Sequence, residues 1–274
     1  MAFRSEHNKS KGAHGVARVI SKRGYCSRSQ AEKLVKEGRV TLRGKIVLDI
    51  DTPTYENEEI LVDGKPVTAS NFVYFAMNKP RGIVTTASDE KGRKTVMDLF
   101  REQFAKMYPG KQIPHIAPVG RLDAASEGLL LFTNDTQWAN NLMEPQNRRV
   151  ILSEAPQGAK SKDLGKPNNH LKIYRVQVAG KPTGAELAQM EQGFNVAPRV
   201  FGEKEEFMHA DRATIHNVGE KNCWLEITLS EGKNREIRRM FKHLGYEVMR
   251  LVRIQIDEYT LGDLKPGEIR SITP

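Results

Sequence analysis

Cysteine is scarce in this chain: Cys26 and Cys223 lie far apart and neither stands in a C-x-x-C pair. A disulfide framework and a zinc site therefore lack support, and both residues are expected to be small, reduced side chains. The seven histidines are scattered, with no pair at the short spacings that set two ligands on one helix face. Metal catalysis is not expected. Long apolar runs are missing as well. The longest, such as Gly128 to Phe132, fall far short of the roughly 20 residues a membrane-spanning helix needs. The stretch Met1-Ala2-Phe3-Arg4-Ser5-Glu6-His7 has no apolar core before a cleavage site, so it does not read as a secretory signal. A cytoplasmic protein with no membrane partner is expected.

What is present is ordinary in amount and uneven in placement. The 274 residues are 38% hydrophobic and 28% charged, as in a folded protein of one or two domains. The net charge of +9 sits at one end. Residues 1–45 carry 12 Lys or Arg against three Glu (Glu6, Glu32, Glu37), while the other 229 residues carry 31 of each sign. A basic excess confined to one end is the footprint of a polyanion partner, and a solvated basic tail is the plainer alternative.

Residues 1–14 are polar, basic and aperiodic, and are expected to form a disordered tail. Structure is expected from about Val16. Ser29 with Glu32 three residues on has capping-box spacing, Ala31, Leu34 and Val35 give a helix one apolar face, and Gly38 ends it. Next, 39–42 and 45–48 read as a hairpin joined by Arg43-Gly44, and a second turn is expected at Asp63-Gly64. This small unit carries Arg18, Lys22, Arg23, Arg28, Lys33 and Arg39, with too little core for elaborate chemistry. A boundary is expected near Ser70, giving units at 15–69 and 70–274. Beyond it, 72–77 reads as a buried strand. Helices are expected at 98–107, 138–143, 184–192 and 235–244, and strands at 128–133, 172–178, 224–229 and around 249–256. Without a regular β-α-β period, the pattern predicts an α+β fold with a mixed or antiparallel sheet. Residues 144–171, rich in Asn, Pro, Gly, Lys and Ser, are expected to be an exposed loop.

Three segments are polar where a plain core would not need them to be. Asn78-Lys79-Pro80-Arg81-Gly82 follows an apolar strand and is compatible with an ordinary turn. Gly120-Arg121-Leu122-Asp123 leads through Glu127 into the apolar run 128–132. A carboxylate at that junction can be held at the floor of a cleft, although a loop Asp more often caps local amides. Glu127 is a weaker candidate, and Asp135 reads better as the start of a helix. In the third segment, Ile237, Met240, Phe241 and Leu244 share one helical face, and Arg235, Arg238, Arg239 and Lys242 share another. That cationic stripe has no interleaved acid, which favours phosphate or carboxylate binding over a merely solvated face.

Two resemblances follow. The segment from about Val16 to Val67 resembles the ribosomal protein S-four type RNA-binding domain, through Tyr25 to Leu34, Glu37-Gly38-Arg39-Val40 and Val62-Asp63-Gly64-Lys65-Pro66-Val67. Such domains lay basic side chains on RNA phosphates, a contact that positions without specifying sequence. From about Val16 to the C-terminus, this module included, the chain resembles the pseudouridine synthases that act on ribosomal RNA, of the RsuA and RluB type. The carrying residues are Gly120-Arg121-Leu122-Asp123 with Glu127 to Asp135, Lys79-Pro80 with Gly82 and Thr85-Thr86, Lys172 to Val176, and Asn234 to Met240.

The resemblance implies an isomerase that detaches uracil from its ribose, turns it and reattaches it through carbon five, with no cofactor, acting as a monomer on ribosomal RNA, free or in an assembly intermediate. It gives Asp123 the catalytic carboxylate's role, Tyr174 a stacking role against the base, and Arg238 the role of holding Asp123 ionised in a dry pocket. It also puts Arg121 in the vacated base stack and Ile237 in an apolar wall, with Arg235, Arg239 and Lys242 on phosphates around a flipped-out nucleotide. Residues 144–171, the stretch Lys111 to His115, and Thr136 where many relatives have Gly depart from the pattern. They bear on which RNA is chosen. A non-catalytic RNA-binding protein would explain the basic end but give Asp123, Tyr174 and Arg238 no joint purpose. A glycosidase would want a second working carboxylate, for which Glu127 is the near candidate.

Overall fold

In a computed structural model of the chain, the described residues are 13–68, 71–86, 89, 92–113, 115–143, 170–198 and 204–274. Most of the tail expected at 1–14 and nearly all of the loop expected at 144–171 lie outside them. The chain divides into two compact units. One is Met1–Tyr74 with Gln112–Ala117 and Thr133–Ala139; the other is Phe75–Lys111 with Pro118–Phe132 and Asn140–Pro274. No helix among the described residues is long and apolar enough to cross a membrane.

In the first unit, α1 (Val16–Lys22) and α2 (Arg28–Lys36) pack on a small sheet. The cap of α2 is Ser27, two residues before the expected Ser29. Ser27 Oγ accepts from Gln30 N at 3.2 Å, and Gln30 Oε1 accepts from Ser27 N at 3.0 Å. Both serines offer the same S-x-x-[EQ] spacing. The earlier start lengthens the helix and leaves Glu32 free to pair with Arg28 at 3.1 Å. At the other end Gly38, at φ +72°, closes the helix: its N–H donates to Val35 O and that of Arg39 to Leu34 O. This pair of hydrogen bonds satisfies two end carbonyls and needs a left-handed residue, so Gly stands there. The strands run in the order Lys45–Ile46, Val40–Leu42, Ile60–Val62, Lys65–Pro66, all antiparallel. Their tight turns, Arg43-Gly44 and Asp63-Gly64, have both residues at positive φ, as two-residue hairpins require. Val16, Val19, Ile20, Ala31, Val35, Val40, Leu42, Ile60, Val62 and Val67 close the core.

The second unit is built on a nine-stranded mixed sheet, the α+β class that the sequence indicates. Its main path runs Arg212–Val218, Asn222–Leu229, Lys172–Ala179, Val248–Ile256, Glu127–Thr133, Tyr74–Lys79, Ile269–Ser271. Glu127–Thr133 pairs parallel to Val248–Ile256, whereas Lys172–Ala179 is antiparallel to both its neighbours. Every residue of Glu127–Thr133 is buried, in keeping with a strand covered on both faces. Lys172–Ala179 and Asn222–Leu229 alternate instead, so Tyr174, Val176, Val178, Leu225 and Ile227 face the core. The parallel pair depends on Gly128: a Cβ there would lie 2.2 Å from Arg253 O, and its φ is +102°.

Helix α3 (Val96–Met107) starts from a Thr95–Asp98 capping box, so Asp98 is its third residue and not, as the sequence suggests, its first. Its Phe100 stacks on Phe132 at 5.1 Å and meets Phe75 edge-on at 5.3 Å. α4 (Thr136–Met143) and α5 (Gly184–Gln192) follow, then α6 (Glu236–His243), which buries Ile237, Met240 and Phe241. Arg235 stands just outside α6 in a left-handed conformation, φ 51°. The edge strand Arg212–Val218 and the two-stranded hairpin of Phe194–Val196 with Glu206–Met208 are not legible from periodicity. Arg212–Val218 buries only Ala213, and its exposed residues mix polar side chains with Ile215 and Val218.

Candidate active site

The loop that carries Asp123 is fixed from below. Lys79 ends a buried strand and is itself fully buried. Its ammonium donates to Pro80 O (3.1 Å), Asp123 O (3.1 Å) and Ser126 O (2.8 Å). A buried ammonium spending all three protons on carbonyls ties the two ends of the loop to one point. Burial nevertheless lowers its pKa from 10.5 to about 8, with Asp123 and Glu127 pulling the other way. Next to it, Thr85 Oγ1 donates to Leu122 O at 2.7 Å and accepts from Leu122 N at 3.3 Å. Gly82 N donates to Ala124 O at 2.7 Å. The segment 78–86 is thus a clamp on the Asp123 loop and more than a turn between strands.

Held this way, the Asp123 carboxylate remains open, with 42% of its side chain exposed, and lies 3.9 Å from the Arg235 guanidinium. Arg238 is more deeply set. It donates to Val248 O at 2.9 Å and Ala125 O at 3.1 Å, and so is bound to the carboxylate's own loop by a backbone bond. Burial lowers its pKa, helped by Arg235 and Arg81, while Asp123 opposes. Arg238 therefore feels Asp123 without pairing with it, and Arg235 makes the direct approach.

These groups line a cavity of about 650 Å³ together with Arg121, Tyr174, Ile237, Leu251 and Arg253. Tyr174 is buried in its strand, opposite Ile227 and Arg253. Polar residues to which the sequence gave no role of their own also line the cavity, among them His170, Lys172, Glu236 and Arg253. Lys172 shares the strand face of Tyr174 and Val176, a charged residue at a core-facing position, which was a readable signal. Arg253 is buried, with Nε on Leu129 O at 2.8 Å. Burial raises the carboxyl of Glu236 to about 7, and its Oε2 accepts from Lys233 N at 3.0 Å.

The remaining sequence candidates are placed as follows. Arg239 is tied to Glu206 at 2.5 Å and to Ala197 O at 3.2 Å; Lys242 is exposed; neither lines the cavity. Glu127 is taken by Arg250 in a bidentate pair, both bonds 2.9 Å. Asp135 caps α4 through Gln137 N and Trp138 N, each at 3.0 Å. In the first unit most of the cations already have partners. Lys22 pairs with Glu56 (2.6 Å), Arg28 with Glu32 (3.1 Å), Lys33 with Glu37 (3.7 Å) and Arg39 with Asp63 (2.5 Å). Arg23 donates to Val67 O at 2.7 Å, Glu56 O at 3.0 Å and Glu58 O, which holds the chain end of the sheet to α1. Arg18 is exposed.

Comparison with known proteins agrees with this layout. The RNA pseudouridylate synthase family matches residues 73–243, and the S4 domain matches residues 16–53. Ribosomal large subunit pseudouridine synthase B of Bacillus subtilis (strain 168) is 33% identical over 261 residues, covering 94% of this chain and 92% of that protein. An RNA pseudouridine synthase of Aquifex aeolicus (strain VF5) is 32% identical over 260 residues, covering 94% and 89%. Among solved structures, a pseudouridylate synthase is 26% identical with a TM-score of 0.57, covering 95% of this chain and 96% of that one.

Proposed function

This chain belongs to the RNA pseudouridylate synthase family, and on that premise we propose that it isomerises one uridine of ribosomal RNA, with Asp123 as the catalytic carboxylate and no cofactor. The C1′–N1 bond of the uridine breaks, the base turns, and C1′ bonds to C5. The proton displaced from C5 is balanced by one gained at N1, so the reaction is a net isomerisation. Asp123 acts at the sugar, either attacking C1′ or taking a proton that leads to a glycal. Tyr174 stacks on the base, and Arg238, fastened to Val248 O and Ala125 O, supplies fixed positive charge beside the carboxylate. Ile237 gives the apolar wall, while Arg121 fills the stack that the flipped uridine leaves. Arg235, Arg239 and Lys242 hold flanking phosphates.

The observation that carries this reading is that one cavity, of about 650 Å³, is lined at once by Asp123, Tyr174, Arg121, Arg235 and Arg238. A volume in that range is what a small-molecule-sized moiety needs. In the same reading residues 15–69 are a docking module for RNA phosphates and 70–274 the catalytic part, the protein working as a cytoplasmic monomer on ribosomal RNA. The test is carbodiimide-adduct mapping of ribosomal RNA from a deletion strain, complemented by the wild-type chain or by Asp123→Asn. One pseudouridine is expected to vanish on deletion and return only with the wild type, while purified D123N still binds RNA. If every ribosomal site persists in the deletion strain, the substrate assignment is wrong.

A further inference from the structure

We propose that the outer face of the hairpin formed by Phe194–Val196 and Glu206–Met208 is a platform for one unpaired nucleobase of the RNA, beyond the cavity that takes the target uridine. Phe207 stacks on that base and Asn195 bonds its edge. The inference rests on the reading of the chain as an enzyme of RNA.

In this hairpin Asn195 lies directly opposite Phe207, and Phe194 opposite Met208. Opposed residues share a face, so burial of Met208 and exposure of both Asn195 and Phe207 set an inner and an outer side. Phe207 leaves 52% of its surface in solvent. Single exposed apolar residues are common; the way this ring is mounted is not. One side of it is backed by Gly193, where an added Cβ would lie 2.3 Å from Phe207 Cζ. The His209 ring stacks near it at 6.2 Å and 28°. A ring supported on one side and open on the other presents a π-face at low entropic cost.

The hairpin is also built into the cavity wall. Lys233, a lining residue, donates to Phe207 O at 2.8 Å and to Glu231, another lining residue, at 2.6 Å. His209 lies 3.7 Å from Glu231. Phe194 stacks on His243 of α6 at 4.5 Å and 13°, and Arg239 of α6 binds Glu206. The platform is therefore continuous with the cavity wall, and it is fastened to α6, which carries Arg238 and begins directly after Arg235. An aromatic face with an amide beside it suits a splayed base, whose edge offers both donors and acceptors.

The experiment is fluorescence anisotropy of the full chain with labelled single-stranded oligo(rA) and oligo(rU), repeated across a range of KCl concentrations. Phe207→Ala is expected to weaken binding about tenfold while leaving the slope of log affinity against log salt unchanged, since no phosphate contact is lost. Phe207→Tyr is expected to restore it. Phe207→Leu, which keeps apolar contact with Gly193 but has no π-face, is expected to behave like the Ala variant. Affinity of F207A within about twofold of wild type would overturn the proposal, and would leave a protein partner as the ring's use. Equal losses in F207A and F207Y, or a changed salt slope, would overturn it too, because they mark a structural role. Pseudouridine formation by the wild-type chain is scored separately, so failure of the platform and failure of the catalytic reading are distinct results.

Discussion

Replacing Lys79 by Met keeps the buried stem and removes the three N–H donors that bind Pro80 O, Asp123 O and Ser126 O. Two effects oppose each other. Three carbonyls left unpaired in a buried place cost about 2 kcal/mol each, roughly 6 in total. Against this, the variant escapes the burden of burying an ammonium, which a pKa lowered from 10.5 to about 8 puts at roughly 3 kcal/mol. The orphaned carbonyls win, and Lys79→Met should be destabilised by about 3 kcal/mol at neutral pH, a fall in Tm of roughly 6–12 °C. The pH dependence supplies a sharper check. Below pH 8 the amine is protonated in both folded and unfolded chains, and the folded protein bears the full burial cost. Between about pH 8 and 10.5 the folded amine has released its proton while the unfolded one still holds it, so wild-type stability rises with pH. Urea unfolding of wild type and K79M at a series of pH values should therefore show a gap that widens from pH 8 upward. Single-turnover pseudouridine formation at saturating RNA should fall in K79M by more than its unfolded fraction explains, because Asp123 loses its anchor. Unchanged Tm together with a pH-independent gap would refute the reasoning.

Other changes give equally direct outcomes. Arg23→Ala should unfold the first unit more readily, by a few kcal/mol, because three backbone carbonyls depend on it; a variant with wild-type melting but weaker RNA binding would show instead that Arg23 faces the RNA. Gly128→Ala combines a left-handed φ with a Cβ placed 2.2 Å from Arg253 O, and should cost more than about 4 kcal/mol or leave the chain insoluble; near-normal expression and Tm would contradict the close parallel pairing. Glu236, whose carboxyl is raised to about 7 by burial, binds more protons folded than unfolded between about pH 4.5 and 7, so wild-type stability should fall across that window. Glu236→Gln should flatten this fall in denaturant titrations, and an unaltered profile would remove Glu236 as its source.

Much of the fold was legible because periodicity and turn chemistry agree locally. Gly184–Gln192 is where the sequence put it, and the strands 128–133, 172–178 and 224–229 were each placed to within a residue or two of their ends. The Arg43-Gly44 and Asp63-Gly64 turns follow from residues that accept positive φ. What escaped were elements whose packing is one-sided and long-range. The hairpin of Phe194–Val196 and Glu206–Met208 is too short to show a period, and Arg212–Val218 buries a single side chain. At α2, two serines with the same spacing competed, and the one used, Ser27, is joined reciprocally to Gln30 and leaves Glu32 to pair with Arg28.

In the site, the sequence identified polar segments but could not say what each charge is for. Arginine count at the basic end reads as an RNA footprint, yet most of those guanidinium and ammonium groups are matched to Glu32, Glu37, Glu56 and Asp63 or to carbonyls. Exposed pairs of this kind contribute little to stability, so a polyanion can take their cations at small cost; Arg23 is different, because it bonds three backbone carbonyls, two of them part-buried. Linear charge therefore overstates what is free and understates what can be exchanged. The same distinction separates Arg235 from Arg238. They are three residues apart on one stripe and look equivalent in sequence. Arg235 stands outside the helix in a left-handed conformation, half exposed and 3.9 Å from Asp123, where its contact is easily given up. Arg238 is bonded to Val248 O and Ala125 O and can move only with the Asp123 loop. A cation that must stay beside a reacting carboxylate while RNA enters is better supplied by the second, and one that must reach a phosphate is better supplied by the first. The difference lies in what the backbone does at those two positions.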